Sequence, residues 1–285
     1  MIRARVLSAV VLVPVMLGLI YLGGIAWLVF ILLTGILAWG EMAQLLQQAH
    51  FTVRRNLGYF FIVGALLEAY GHSSGLLRVD LLRPLLAGLI IFSLIWALYN
   101  KGEHATADWG ITVASALYLG FLLSHFVTLR EFQHSNGAAW WLSLPAAGAH
   151  PAGFNWVVAA VGLGWITDAA AFFVGSAIGK HQMWPRISPK KTWEGLAGGS
   201  LACLVTGVIA GIWLLNIGPW LGLLLGALVA IFDPFGDFAV SLFKRMAHSK
   251  DSSQLIPGHG GVLDRLDSLL FIIPMVTYFA QLVTR

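Results

Sequence analysis

Residues 155–179 read NWVVAAVGLGWITDAAAFFVGSAIG, a stretch whose only charged side chain is Asp168. A helix rises about 1.5 Å per residue, so this run is long enough to cross the roughly 30 Å of bilayer hydrocarbon. Only helices and closed barrels satisfy their own backbone in lipid, and the period-2 alternation of a barrel strand is absent. The stretch therefore reads as a membrane-spanning helix. Comparable apolar segments lie near 6–22, 25–40, 57–70, 81–99, 109–129, 195–215, 219–243 and 266–283. The third is short and contains Glu68, and an apolar patch at 138–148 carries Pro145 and is too short to cross. The expectation is an all-α polytopic membrane protein, a bundle of about nine transmembrane helices. Of the 285 residues 58% are hydrophobic and 11% charged, and mean hydropathy is +0.81. Soluble domains carry about 25% charge. A soluble enzyme, a disordered chain and a nucleic-acid reader are thereby excluded, and one membrane domain over 1–285 is expected.

The net charge of +4 is read by placement, because basic residues mark cytoplasmic loops. With nine spans and a cytoplasmic amino terminus, Arg3, Arg5, Arg54, Arg55, Lys101, Lys180, Arg186, Lys190, Lys191, Lys244, Arg245, Lys250 and Arg265 fall inside. Arg78, Arg83, Arg130 and Arg285 fall outside. The basic start lacks a clean signal-cleavage site, so the first span is expected to be retained. Cys203 is the only cysteine, which rules out an internal disulfide or a cysteine metal cage. The pairs Gly195/Gly199, Gly207/Gly211 and Gly222/Gly226 repeat at i, i+4, the spacing that lets helices approach closely in lipid.

Up to about residue 150 the polar side chains sit at helix ends, and that half reads as scaffold; packing or interfacial roles account for Glu68 and His125. From 151 to 285 the acids enter the spans. Asp168 lies in WITDAAAFFVGSAIGK, and Asp233 and Asp237 lie four apart in FDPFGDFAVSLFKR, on one face if the helix survives Pro234. Each aspartate at a helix centre costs about 2.5 to 3.5 kcal/mol, so these need ion-pair partners, a wet cavity or a function. Two loops expected on the cytoplasmic side supply cations. KHQMWPRISPKKTWEG (180–195) places Arg186, Ser188, Lys190, Lys191 and Thr192 before a helix beginning near Trp193, a ready anion site or plain positive-inside charge. SLFKRMAHSKDSSQLIPGHGGVLDRLDS (241–268) mixes Ser241, Lys244, Arg245, Lys250, Asp251, His259, Asp264, Arg265 and Asp267. Asp237, Ser241 and Lys244 continue one helical stripe, and Asp264 and Asp267 share a face at i, i+3. The glycines Gly260 and Gly261 let backbone approach a ligand closely. Mg²⁺ takes one or two carboxylates plus substrate phosphates, and cations hold the remaining oxygens, so the mixture of signs points to phosphoryl or nucleotidyl transfer.

At these residues the chain resembles the phosphatidate cytidylyltransferases, or CDP-diacylglycerol synthases. Their carboxyl-terminal pattern is met by Ser241, Lys244, Arg245, Lys250, Asp251, Pro257, His259, Gly260, Gly261, Asp264, Arg265 and Asp267. Asp168 to Lys180, the loop Ser188 to Gly195 and the pair Gly236-Asp237 extend the match over about 155–270. The resemblance implies transfer of CMP from CTP to phosphatidate with release of pyrophosphate, with Mg²⁺, at the cytoplasmic face of a bacterial inner membrane. It implies Asp237 and Asp264 as metal ligands, with Asp168 and Asp267 close behind. Ser188, Lys190, Lys191, Thr192, Lys244, Arg245, Lys250 and Arg265 would hold triphosphate or lipid phosphate. His259 either positions a phosphate or makes a structural hydrogen bond within its turn. The partners implied are CTP, phosphatidate and membrane lipids, with no nucleic acid, and a homodimer is allowed. Three departures stand out: FDPFGD before the GD pair, which leaves Asp233 without a family counterpart; MAHS between Arg245 and Lys250; and the alanines of TDAAAFF.

Two other classes compete. An ion-coupled transporter would use Asp168, Asp233 and Asp237 as a midplane relay, but leaves the cationic loops unexplained and lacks an inverted repeat. An isoprenoid or CDP-alcohol transferase would use the D-x-x-x-D unit of Asp233 and Asp237, but the second acidic motif it needs is missing.

Overall fold

The computed structural model of the protein describes residues 2–99, 104–132, 151–256 and 260–284. The chain runs α1 (Ile2–Leu22), α2 (Gly24–Gln48), α3 (Arg55–Ser73), α4 (Leu82–Leu98), α5 (Ala105–Arg130), α6 (Pro151–Ile178), β1 (Gln182–Trp184), β2 (Ser188–Thr192), α7 (Trp193–Trp213), α8 (Pro219–Met246), the single turn α9 (Leu263–Leu266) and α10 (Leu269–Val283). Each of the nine expected spans falls on one of the longer helices, and the apolar patch at 138–148 lies outside the described residues. Among the described residues six helices are long and apolar enough to cross a membrane: Gly24–Gln48, Ala105–Arg130, Ala152–Ile178, Trp193–Trp213, Pro219–Met246 and Leu263–Val283. The protein is thus a multi-pass helical membrane protein. Leu82–Leu98 is apolar and has 17 residues, about 25 Å of helix at 1.5 Å per residue, the lower limit for a crossing.

The described chain forms two compact units. The first comprises Met1–Leu19, Gly24–Glu131 and Phe243–Arg265; the second comprises Ile20–Gly23, Phe132–Leu242 and Leu266–Arg285. In the first, α2, α3 and α5 pack around Ile31, Met42, Phe61, Leu66, Leu119 and Leu123, all essentially buried. Buried indole N–H groups need acceptors; Trp27 Nε1 donates to the Phe126 carbonyl at 2.9 Å and Trp39 Nε1 to the Arg55 carbonyl at 2.8 Å. His125 is buried with Nδ1 2.8 Å from the Phe121 carbonyl, the packing role expected of it.

In the second unit α6 packs along α7 and against α10. Helix α7 meets α8 through glycines: a Cβ on Gly207 would lie 2.5 Å from the Gly222 carbonyl oxygen. Gly207→Val is therefore expected to destabilise by about 1–3 kcal/mol, the usual range for overpacking. Thermal unfolding in detergent should show this, while Gly162→Ala, where nothing lies within 4 Å, should unfold almost as the parent does. Helix α8 is continuous through Pro234, so Asp233 and Asp237 do share a face.

The loop expected between the sixth and seventh spans is instead an antiparallel hairpin pairing Gln182 with Thr192 and Trp184 with Ser188. In a two-stranded ribbon both strands are edges, which is why Pro189 is tolerated. Trp184 stands edge-on to Phe238 with centroids 4.8 Å apart, seating the hairpin on α8. Glu194 ties the hairpin base, accepting from the Lys180 and His181 amides at 3.1 and 3.2 Å and meeting His181 Nδ1 at 2.5 Å.

Candidate active site

The second unit holds a cavity of about 310 Å³ whose wall includes Asp168, Ser188, Lys190, Lys191, Thr192 and Asp233. Four elements build it: α6 brings Asp168, the hairpin brings the lysines and Ser188, α7 brings Gly195 and Leu196, and α8 brings Asp233 with Pro234. Thr192 is the N-cap of α7, its hydroxyl accepting from the Gly195 amide at 3.1 Å. Helix α7 thus begins at Trp193, where the loop pattern places it.

Lys191 Nζ lies 2.6 Å from Asp237 Oδ2 and 5.2 Å from the centre of the Phe238 ring. Asp237 Oδ1 accepts the Ser241 hydroxyl at 3.1 Å, so the expected stripe on α8 exists between these two residues. Burial pulls the Lys191 ammonium pKa down. The charge and hydrogen bond of Asp237, with the charges of Asp168 and Asp233, outweigh it and hold the pKa above its ordinary value of 10.5. A cation with a raised folded-state pKa lends stability that is complete below its unfolded pKa and lost as pH rises through the folded one. The stability gap between the parent and Lys191→Met should thus be present at neutral pH and shrink as pH rises beyond about 10. Thermal unfolding across pH checks this, and a gap that shrinks between pH 7 and 9 would contradict it.

Asp168, Asp233 and Asp237 all act on Lys191, and the exposed Lys190 lies on the same cavity wall as Asp168 and Asp233. Asp233 is 3% exposed, and its Oδ1 has no hydrogen-bond partner among the described residues. A buried carboxylate oxygen with no donor is costly unless something completes it. Clustered hard oxygens, one of them unmet, suit a divalent cation that keeps waters and takes further oxygens from a phosphate. Among the described residues no group of three or more His, Cys, Asp or Glu side chains is placed to hold a metal ion.

The carboxyl-terminal motif is arranged differently. In the first unit Lys244 Nζ donates to Asp264 Oδ1 at 2.7 Å, with the two side chains 10% and 7% exposed. Asp264 Oδ2 accepts from the Ser252 amide at 2.8 Å, the Ser252 hydroxyl at 2.9 Å and the Gly261 amide at 3.0 Å. Both Asp264 oxygens are thus engaged by protein donors, as both Asp237 oxygens are by Lys191 and Ser241, so a metal at either residue would compete with its lysine. Asp267 follows the end of α9 at Leu266, and its Oδ1 accepts its neighbour Ser268's amide at 2.9 Å. Arg245, Lys250 and Arg265 are exposed, and Arg245 also reaches the Ser249 carbonyl at 3.1 Å. His259 lies outside the described residues.

Gly260 has φ +78°, a left-handed conformation that favours glycine. A Cβ on Gly261 would fall on the Ser252 hydroxyl and on both carboxylate oxygens of Glu41. These glycines admit carboxylates to the backbone at that point. Glu41, on α2, was not among the residues expected to matter, yet it is 6% exposed and accepts four hydrogen bonds from the motif segment. Its signal in the sequence is a carboxylate at the end of an apolar run with no cation at i±3 or i±4.

Residues 3–283 match the cytidylyltransferase family. The phosphatidate cytidylyltransferase of Bacillus subtilis is 28% identical over 284 residues, covering 98% of each chain. Those of Staphylococcus saprophyticus and Staphylococcus haemolyticus are 29% and 27% identical over 275 residues, 96% of this chain and 97% of theirs.

Proposed function

From the cytidylyltransferase family, to which this chain belongs, we propose that this nucleotidyltransferase moves CMP from CTP to phosphatidate, forming CDP-diacylglycerol. The observation that carries the reading is the cavity in which Lys190, Lys191 and Ser188 face Asp168 and Asp233. Cations there match triphosphate oxygens, and the clustered carboxyl oxygens match a divalent ion. In the reaction an oxygen of the lipid phosphate bonds to the α-phosphorus of CTP, and the bond from that phosphorus to the bridging oxygen breaks. Pyrophosphate departs with the bonding electrons. No protein nucleophile is needed, so the side chains act by holding and neutralising two polyanions.

Asp168 and Asp237, with Asp233 beside them, are the residues that would hold Mg²⁺. When bound, that ion supplies charge neutralisation at the phosphate oxygens. Lys191 is already committed to Asp237, and this pair fixes the hairpin over α8; Lys190 and the Ser188 hydroxyl are the groups that reach for phosphate. Phosphate binding by Arg245, Lys250 and Arg265 rests on the family motif and on their exposure. Metal ligation by Asp264 and Asp267 rests on the motif alone. Nine crossings with the amino terminus inside, a site at the cytoplasmic face of a bacterial inner membrane, and assembly as a homodimer belong to the same proposal. The split of basic residues across the expected loops supports the orientation.

The test is a substrate panel on purified protein: phosphatidate with CTP, ATP, GTP or UTP, each with Mg²⁺ or excess chelator. CTP with Mg²⁺ alone should give lipid-linked nucleotide. Full activity in chelator would remove the metal, and a preference for another triphosphate would overturn the cytidylyl reading.

A further inference from the structure

Glu41 is the one acidic side chain of α2, and it is occupied entirely by the segment that carries the carboxyl-terminal motif. Its Oε1 accepts the Ser253 hydroxyl at 2.6 Å and the Val262 amide at 2.9 Å. Its Oε2 accepts the Leu263 amide at 2.8 Å and lies 2.9 Å from the Ser252 hydroxyl, whose single proton is shared with Asp264 Oδ2. The Ser252 hydroxyl also meets Asp264, so Glu41 is one shared hydroxyl away from the Lys244–Asp264 pair. Two backbone amides that cannot turn round fix both oxygens as acceptors, and only a carboxylate has two such oxygens on one planar group.

We propose that Glu41 is a positioning residue for nucleotidyl transfer. By gripping Ser252, Ser253, Val262 and Leu263 it sets the backbone from which Lys250 and Arg265 extend, and it holds Asp264 where Lys244 meets it. Half of the chain that reads as scaffold thereby supplies a group on which catalysis depends. The proposal rests on the reading of Lys250 and Arg265 as phosphate-holding residues, so those two are tested alongside.

The informative change is Glu41→Gln, which keeps the shape but turns an N–H₂ group toward one of the two fixed amides. A misplacement of about 1 Å can cost about 100-fold in rate. The expected result is a kcat about 100-fold lower, with KM for CTP and phosphatidate changed less than about threefold because the exposed cations remain able to collect substrate. Hydrogen exchange at the Val262 and Leu263 amides should accelerate while the α3 and α5 amides keep their protection. Ser253→Ala, which removes one donor from a half-buried position, should lower kcat about fivefold, the worth of one net hydrogen bond of about 1 kcal/mol. A Glu41→Gln kcat within twofold of the parent would overturn the proposal. So would exchange that rises equally through α3 and α5, which would mark a merely structural role. If Lys250→Ala and Arg265→Ala leave kcat/KM unchanged, the phosphate-holding reading fails first and the positioning role falls with it.

Discussion

Asp237→Asn is expected to lower kcat/KM for CTP and phosphatidate by about 10³-fold, at the upper end of what a single preorganised electrostatic group contributes, while leaving the folded protein intact. The asparagine oxygen can still accept the Ser241 hydroxyl, which Asp237 Oδ1 meets at 3.1 Å. Its amide nitrogen, however, would oppose the Lys191 ammonium, now 2.6 Å from a carboxylate oxygen. Two losses therefore coincide: a charged oxygen that suits a divalent ion, and the pair that seats the hairpin over α8. Because the two side chains remain 26% and 25% exposed, water moderates the stability cost, and the loss should appear in turnover more than in unfolding temperature. Steady-state kinetics with a gel-filtration profile and thermal melt separate the two. An activity within tenfold of the parent would place the chemistry elsewhere.

The second large effect is on stability. Lys244→Met should destabilise by about 3–5 kcal/mol, because it leaves the Asp264 charge buried without its counter-ion. Three neutral donors from Ser252 and Gly261 remain, but they already belong to the other oxygen. Asp264→Asn strands the Lys244 ammonium in turn. The double change should cost clearly less than the sum of the singles, with a coupling of about 1–3 kcal/mol for groups in direct contact. Chemical denaturation in micelles measures the cycle, and strict additivity would show that the pair contributes nothing as a pair.

The helical architecture was legible because lipid imposes one rule on every segment: apolar side chains outside and backbone hydrogen bonds inside. The run around Asp168 announces α6 for that reason, and the glycines at 207 and 222 announce a close helix contact that the structure contains. The hairpin at 182–192 was not legible. Its strands are short, polar and interrupted by Pro189, and they are held by Trp184 against Phe238, a contact that no local pattern encodes. Of the acids in the spans, Asp168 and Asp233 line the cavity. Asp233 was set aside for lack of a counterpart, yet it is the most buried of the three and bears the unmet oxygen. Charge sign alone could not reveal that Lys244 and Asp264, read as separate ligands of phosphate and metal, spend their charges on each other. Glu41 escaped notice because its partners lie more than two hundred residues away in the chain.

The most direct measurement follows the phosphorus. Purified protein is given phosphatidate with CTP radiolabelled at either its α- or its γ-phosphorus, and the lipid phase is extracted. The account predicts label in the lipid from the α-position only, with the γ-label recovered as pyrophosphate, and neither transfer in Asp237→Asn. Label reaching lipid from the γ-position, or α-label transferred at full rate by Asp237→Asn, would contradict it.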